Sequence, residues 1–274
     1  MRHVKIARIG KYQVDVQGFL QRVGDTANIQ GVWLEAVQAL KRAYLGRWSS
    51  VHSIYIRGSL AKGTPIEHVS DIDSFAVMEP SWDGAATYDE VKAWAEEVER
   101  DIQSAFPFVA GVEVGLEAYA GILERDNPYT FIVKTEAACV YGDDLASEIQ
   151  PYKLGPDIAF QTRHFQQHLD LFLDEYPQEP DEEKAAFVAW LMRRFLRLGM
   201  ELVMVKEGRY TRDLYLCYES FAKYYPEQEA SMYRALELAL NSVVSRETES
   251  FIETFGVWLA QEAEHKLASV NSGK

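Results

Sequence analysis

Hydrophobic and polar positions change their rhythm about midway along the chain. Up to about residue 142, short runs of β-branched and aromatic residues are mixed with helical stretches; from about residue 157, one amphipathic helix follows another. In the first half, residues 31–45 carry Val32, Leu34, Val37, Leu40, Ala43 and Tyr44 at the spacing of one helix face. Residues 53–56 form a β-type run that stops at Arg57-Gly58, and residues 72–78 read as a second strand. An amphipathic helix is expected over 88–106, ended by Pro107. Alternation over 109–120 predicts a third strand, and 138–141 a short fourth, closed by Gly142.

The second half predicts a helix over 158–175, ended by Pro177, and a long one that Asp181 caps and Gly208 stops. Further helices are expected over 212–224, 227–241 and 247–268. Their apolar spacing is that of core packing. Pro151, Gly155 and Pro156 cluster where the texture changes, which sets the expected boundary. The expected fold is an α+β domain over 1–152, a small mixed sheet with flanking helices, followed by an all-α helical bundle over 153–274.

Composition narrows the function. The chain has 274 residues, 47% of them hydrophobic, which suffices for two packed cores. The net charge of −14 repels nucleic-acid phosphates and disfavours a general DNA or RNA binder, tRNA included, while it suits a cationic ligand. Cys139 and Cys217 sit in apolar runs and read as buried free thiols. No charged-then-apolar leader opens the sequence, and no uncharged run approaches the roughly 18 residues of a membrane span. A cytoplasmic enzyme is the expectation. His164 and His168 stand four apart on one helix; without a Glu after the first, they read as a surface or interface pair rather than a zinc site.

The chemistry concentrates in two stretches. The first is Ile54-Tyr55-Ile56-Arg57-Gly58-Ser59-Leu60-Ala61-Lys62-Gly63, and the second Ser70-Asp71-Ile72-Asp73-Ser74-Phe75-Ala76-Val77. A strand that turns sharply into a helix exposes backbone N–H groups at a positive dipole end, a natural seat for phosphate. Gly58 removes the side chain that would block close approach, the Ser59 hydroxyl supplies one more donor, and Gly63 loosens the same turn. Asp71 and Asp73 are two apart in a strand and so share a face. Paired carboxylates repel, and a divalent cation between them removes the conflict. Magnesium takes one or two carboxylates together with substrate phosphates, so the turn and the pair belong to one site.

Gly-Ser, a spacer of about a dozen residues and Asp-x-Asp together resemble the signature of the DNA polymerase β-like nucleotidyltransferase superfamily. The helical half behind it makes the chain similar to the aminoglycoside nucleotidyltransferases, of the streptomycin/spectinomycin adenylyltransferase type. The resemblance implies a magnesium-dependent enzyme that moves a nucleoside monophosphate, AMP from ATP, onto a hydroxyl of a small molecule such as an aminoglycoside-like antibiotic. It implies that Gly58 and Ser59 hold the nucleoside triphosphate, that Asp71 and Asp73 bind Mg2+, and that a third acidic residue on a later strand acts as metal ligand or base. Glu113 is the first candidate for that residue, with Glu117 in reserve. Lys62 lies in the phosphate turn, where the two readings are contact with a γ-phosphate and a solvated side chain. Arg197 and Arg212 occupy helical-half positions comparable to the family's triphosphate-binding basic residues, with Arg212 where the family carries Lys. The competing assignment is a solvated helix face on which Arg193, Arg194 and Arg197 pair with Glu residues. The alternative function is a nucleotidyltransferase-type antitoxin that binds or nucleotidylates a protein partner. An apolar helical bundle is also compatible with a homodimer.

Overall fold

The computed structural model describes residues 11–82, 84 and 86–271. The chain begins with β1 (Lys11–Tyr12), α1 (Val32–Arg47), β2 (Val51–Ile56), α2 (Gly58–Ala61), β3 (Ile72–Met78) and α3 (Tyr88–Ala105). Two short strands follow, β4 (Val112–Glu113) and β5 (Leu116–Ala118), then α4 (Tyr119–Ile122), α5 (Pro128–Thr135) and β6 (Ala138–Gly142). The rest is α6 (Phe160–Glu175), α7 (Asp181–Glu207), β7 (Tyr210–Thr211), α8 (Leu214–Tyr224), α9 (Glu229–Leu240) and α10 (Arg246–Asn271). These elements form two compact units. One spans Leu20–Tyr152, and the other combines residues 11–19 with residues 153–271.

The first unit is a small mixed sheet with helices. Its strand order is β4-β3-β2-β6, and β5 also pairs with β3. β2 runs antiparallel to both β3 and β6, whereas β4 and β5 run parallel to β3. The third strand expected as one run over 109–120 is therefore two pieces. The chain leaves the ladder at Val114–Gly115 and rejoins it at Leu116, still alongside β3. One face of the sheet, with Ile54, Ile56, Ile72, Ala76 and Met78, packs on Trp33, Val37, Leu40 and Tyr44 of α1 and on Trp94, Val98 and Ile102 of α3. The Thr87–Glu90 capping box starts α3. On the opposite face Tyr55 stacks on Phe75, and Phe75 meets Tyr129 of α5 edge-on. α5 was not anticipated; Asn127 caps it and Pro128 takes its first position.

The second unit is helical, with a two-stranded β1–β7 ladder. α7 is its centre. Val188, Leu191, Met192, Phe195, Leu196, Leu198 and Met200 are all completely buried. Asp181 is the first residue of α7 and Pro180 stands in the cap position, so Asp181 does not cap the helix as the sequence suggested. Gly199 lets α7 approach Met232 of α9 and Phe221 of α8, where a methyl group would meet both. Buried Glu201 accepts the backbone N–H groups of Gln161 and Thr162 and the Thr162 hydroxyl. It thus satisfies the start of α6, where Ala159 offers no capping side chain. Burial pushes its carboxyl up to about 7 against those three bonds. Among the described residues, no helix is long and apolar enough to cross a membrane.

Candidate active site

β2 delivers the Gly58-Ser59 turn. It ends at Ile56, and Arg57 stands in the cap position of the single-turn helix α2, with its N–H bonded to the Asp73 carbonyl. Gly58 opens α2 at φ +73°, a left-handed conformation that favours glycine. A Cβ on Gly58 would lie 2.5 Å from Oδ2 of Asp73. The turn and the carboxylate are therefore in direct contact. The backbone N–H groups of the first helical residues have no partner within a helix. The turn closes through Gly63 N–H to Leu60 and Thr64 N–H to Ser59.

β3 and β4 deliver the carboxylates. Asp73 shares its sheet face with Phe75, opposite the face packed on α1 and α3. In the parallel ladder Asp73 pairs in register with Glu113, so both carboxylates project from one face. Asp71 lies just ahead of β3. Partial desolvation, and then the charge of Asp73, raise its carboxyl, while Arg57 and its own backbone N–H oppose the rise. Glu117 pairs with Val77 further along the same ladder, and burial alone pushes its carboxyl up to about 7.

Arg57 holds this group together. Its guanidinium lies 2.6 Å from Oε1 of Glu113 and 3.5 Å from Oδ1 of Asp73. Among the described residues, no set of three or more His, Cys, Asp or Glu side chains is arranged to hold a metal ion. The donors nevertheless suit a hard cation: they are all carboxylate oxygens, and two of them, Asp73 and Glu113, share one sheet face and already draw a cation in the form of Arg57. Sequence reasoning passed over Arg57. Its signal was a cation at the junction between strand and phosphate turn.

A buried network fixes the position of Glu113. Ser74 points to the other face and donates its hydroxyl to the Glu113 carbonyl at 2.9 Å. The Tyr44 hydroxyl lies 2.9 Å from Ser74 Oγ and accepts the Gly115 N–H at 3.2 Å. Tyr44 is fully buried, which pushes its phenol well above its usual range. Helix α1 thus braces the break between β4 and β5.

Lys62 makes a different contact within the turn. Its Nζ lies 3.3 Å from Oε2 of Glu136, a carboxylate almost completely buried. Arg197 and Arg212 belong to the helical unit. There they form a basic cluster with Arg193 and Arg194, whose charges act on one another. His164 is exposed, whereas His168 is half-buried with its ring edge-on to Trp190. Both cysteines are free; Cys217 is buried and Cys139 only half-buried.

No family model matches the chain, and no curated protein matches it. Among solved structures it is similar to spectinomycin adenyltransferase AAD(9) from Enterococcus faecialis, determined with ATP and spectinomycin. The two share a TM-score of 0.52 and 13% identity, over 84% of this chain and 99% of the other. At that identity the likeness is one of fold.

Proposed function

We propose that this chain is a nucleotidyltransferase that moves a nucleoside monophosphate, AMP from ATP, onto a hydroxyl of a small molecule. The observation that carries the reading is the contact between turn and carboxylates: Gly58 abuts Asp73, and Asp73 pairs in register with Glu113. The fold likeness to a spectinomycin adenyltransferase supports it.

In this reading the backbone of Gly58 and Ser59 and the Ser59 hydroxyl hold the triphosphate. Lys62 contributes positive charge to the same turn, and Arg197 and Arg212 grip the phosphate chain, for which the planar guanidinium fork is suited. Asp71, Asp73 and Glu113 are the residues that would hold Mg2+. When bound, the ion neutralises the charge that builds on the phosphate oxygens. Glu113 accepts the proton of the acceptor hydroxyl. The freed oxygen bonds to the α-phosphorus, the bond from that phosphorus to the bridging oxygen breaks, and pyrophosphate leaves with the electron pair. Arg57 keeps Asp73 and Glu113 paired before substrate arrives.

The acceptor is a hydroxyl-bearing molecule, and the acidic chain favours a cationic one, which points to aminoglycoside-like antibiotics and a role in resistance. The test is pyrophosphate release from each nucleoside triphosphate, with Mg2+, across a panel of hydroxyl-bearing aminoglycosides and aminocyclitols. Acceptor-dependent release with one nucleotide, abolished by Asp73→Asn, is the expected result. Release at the same rate in Asp73→Asn would overturn the reading.

A further inference from the structure

The helical unit holds a cluster of bases that the reading above uses only in part. Arg194 of α7 lies over Trp190, its guanidinium carbon 3.5 Å from the ring centroid, and donates to the Trp190 carbonyl. Trp190 also meets the ring of His168 edge-on, at 5.5 Å between centroids. His164 follows one turn away on α6, with its ring 6.5 Å from that of His168. Nε of Arg194 and Nδ1 of His168 are buried with no hydrogen-bond partner among the described residues. Buried polar atoms without a partner are rare in native proteins and call for one.

The charges around them are of one sign. Burial, and then the charges of Arg197, Arg193 and Arg212, push the Arg194 guanidinium down to about 10. Burial, and then Arg194 and His164, push His168 down to about 4, so its ring is neutral at pH 7. No carboxylate pairs with Arg194 among the described residues. In a chain with 42 acidic against 28 basic side chains, a half-buried arginine without an acid beside it is anomalous. A stack on Trp190 fixes the plane of the guanidinium and leaves its edge donors for a planar or tetrahedral oxyanion.

We infer that Arg194, stacked on Trp190, is a further phosphate-binding residue of the helical unit, acting with Arg197 and Arg212 on a polyphosphate anion such as pyrophosphate. The inference deepens the phosphate role proposed for Arg197 and Arg212 and rests on that role. It adds that the helical unit binds the polyphosphate anion through arginines alone, without a metal.

The test is a calorimetric titration of the full-length chain with sodium pyrophosphate in metal-free buffer. The wild type should bind, more weakly as salt is raised. Arg194→Met retains the length of the side chain and removes its charge, and should weaken binding by about ten-fold or more. Arg194→Lys retains the charge and loses the fork, and should fall between the two; it decides the matter if the Met variant folds poorly. Absence of binding to the wild type, or unchanged affinity in both Arg194 variants, would overturn the inference. Pyrophosphate binding that depends on Arg194 in a protein with no transferase activity would instead leave the seat standing and sink the enzymatic reading.

Discussion

Replacing Gly58 by alanine isolates the link between the phosphate turn and the carboxylates. Two costs follow from the structure. Holding alanine at φ +73° costs about 1–2 kcal/mol in stability. The new methyl carbon would lie 2.5 Å from Asp73 Oδ2. That is about 1 Å inside ordinary contact, so the Asp73 carboxylate must move by about that distance. A misplacement of 1 Å at a reacting centre costs roughly 100-fold in rate, and a loss of the same order is expected in affinity for the metal-bound nucleotide. ATP with Mg2+ at 100 times its Kd stabilises the wild type by about 2.7 kcal/mol, or roughly 5–10 °C in Tm. A 100-fold weaker site at the same concentration retains about 0.4 kcal/mol, or about 1 °C. Gly208→Ala is the control, because Gly208 has φ +65° and nothing within 4 Å of its added carbon. It should lose comparable stability and keep the full nucleotide shift. A full shift in Gly58→Ala, or an equal loss in Gly208→Ala, would refute the reasoning.

Arg57→Met removes the cation that bridges Asp73 and Glu113. The metal-free protein should lose about 1–2 kcal/mol, and MgCl2 should raise its Tm more than that of the wild type; equal responses to MgCl2 would contradict the bridging role. Tyr44→Phe removes the hydroxyl that links Ser74 and Gly115. It should cost about 1–3 kcal/mol by denaturant unfolding and lower kcat through a displaced Glu113; unchanged kcat would separate this network from the site. Glu201 carries a carboxyl raised from 4.5 to about 7, so the folded state binds its proton more tightly than the unfolded one. Its contribution is therefore present below pH 4.5 and is lost as pH rises through 7, by at most about 3 kcal/mol. Glu201→Gln should accordingly be less sensitive to pH between 5 and 8 in chemical unfolding; parallel pH profiles would argue against this. His68 is a non-glycine residue at φ +62° just ahead of the Asp pair, and His68→Gly should raise stability by about 1 kcal/mol in thermal melts.

The elements that carry strong periodicity were legible from the sequence. The strand over 72–78 has the bounds that its pattern suggests, and the long helix ends at Glu207 as expected, although it starts at Asp181 rather than after it. The third strand was harder, because alternation over 109–120 cannot reveal that the chain leaves the ladder at Val114–Gly115 and returns to the same neighbour. α5 escaped because its eight residues, with Thr130 buried among Phe131, Ile132 and Val133, are too short a run to show a helical stripe; its signals were the Asn127 cap and Pro128. Pairing of β1 with β7 joins residues some 200 apart, which no local pattern encodes. Within the candidate site, spacing suggested that Asp71 and Asp73 share a strand face, but the strand begins at Ile72 and only Asp73 lies in it. The register that sets Glu113 beside Asp73, the guanidinium between them and the Tyr44–Ser74 brace arise from tertiary packing and were not readable.

The central claim is that Asp71 and Asp73 form part of a site for a nucleoside triphosphate with Mg2+. It is tested most directly by calorimetric titration of ATP, GTP, CTP and UTP, each with and without MgCl2, into the wild type and into the Asp71→Asn/Asp73→Asn double variant. The account predicts that one nucleotide, ATP, binds the wild type with magnesium and binds far more weakly without it, and that the double variant loses the magnesium-dependent part. Absence of binding by all four nucleotides, or binding that the double variant leaves intact, would contradict it.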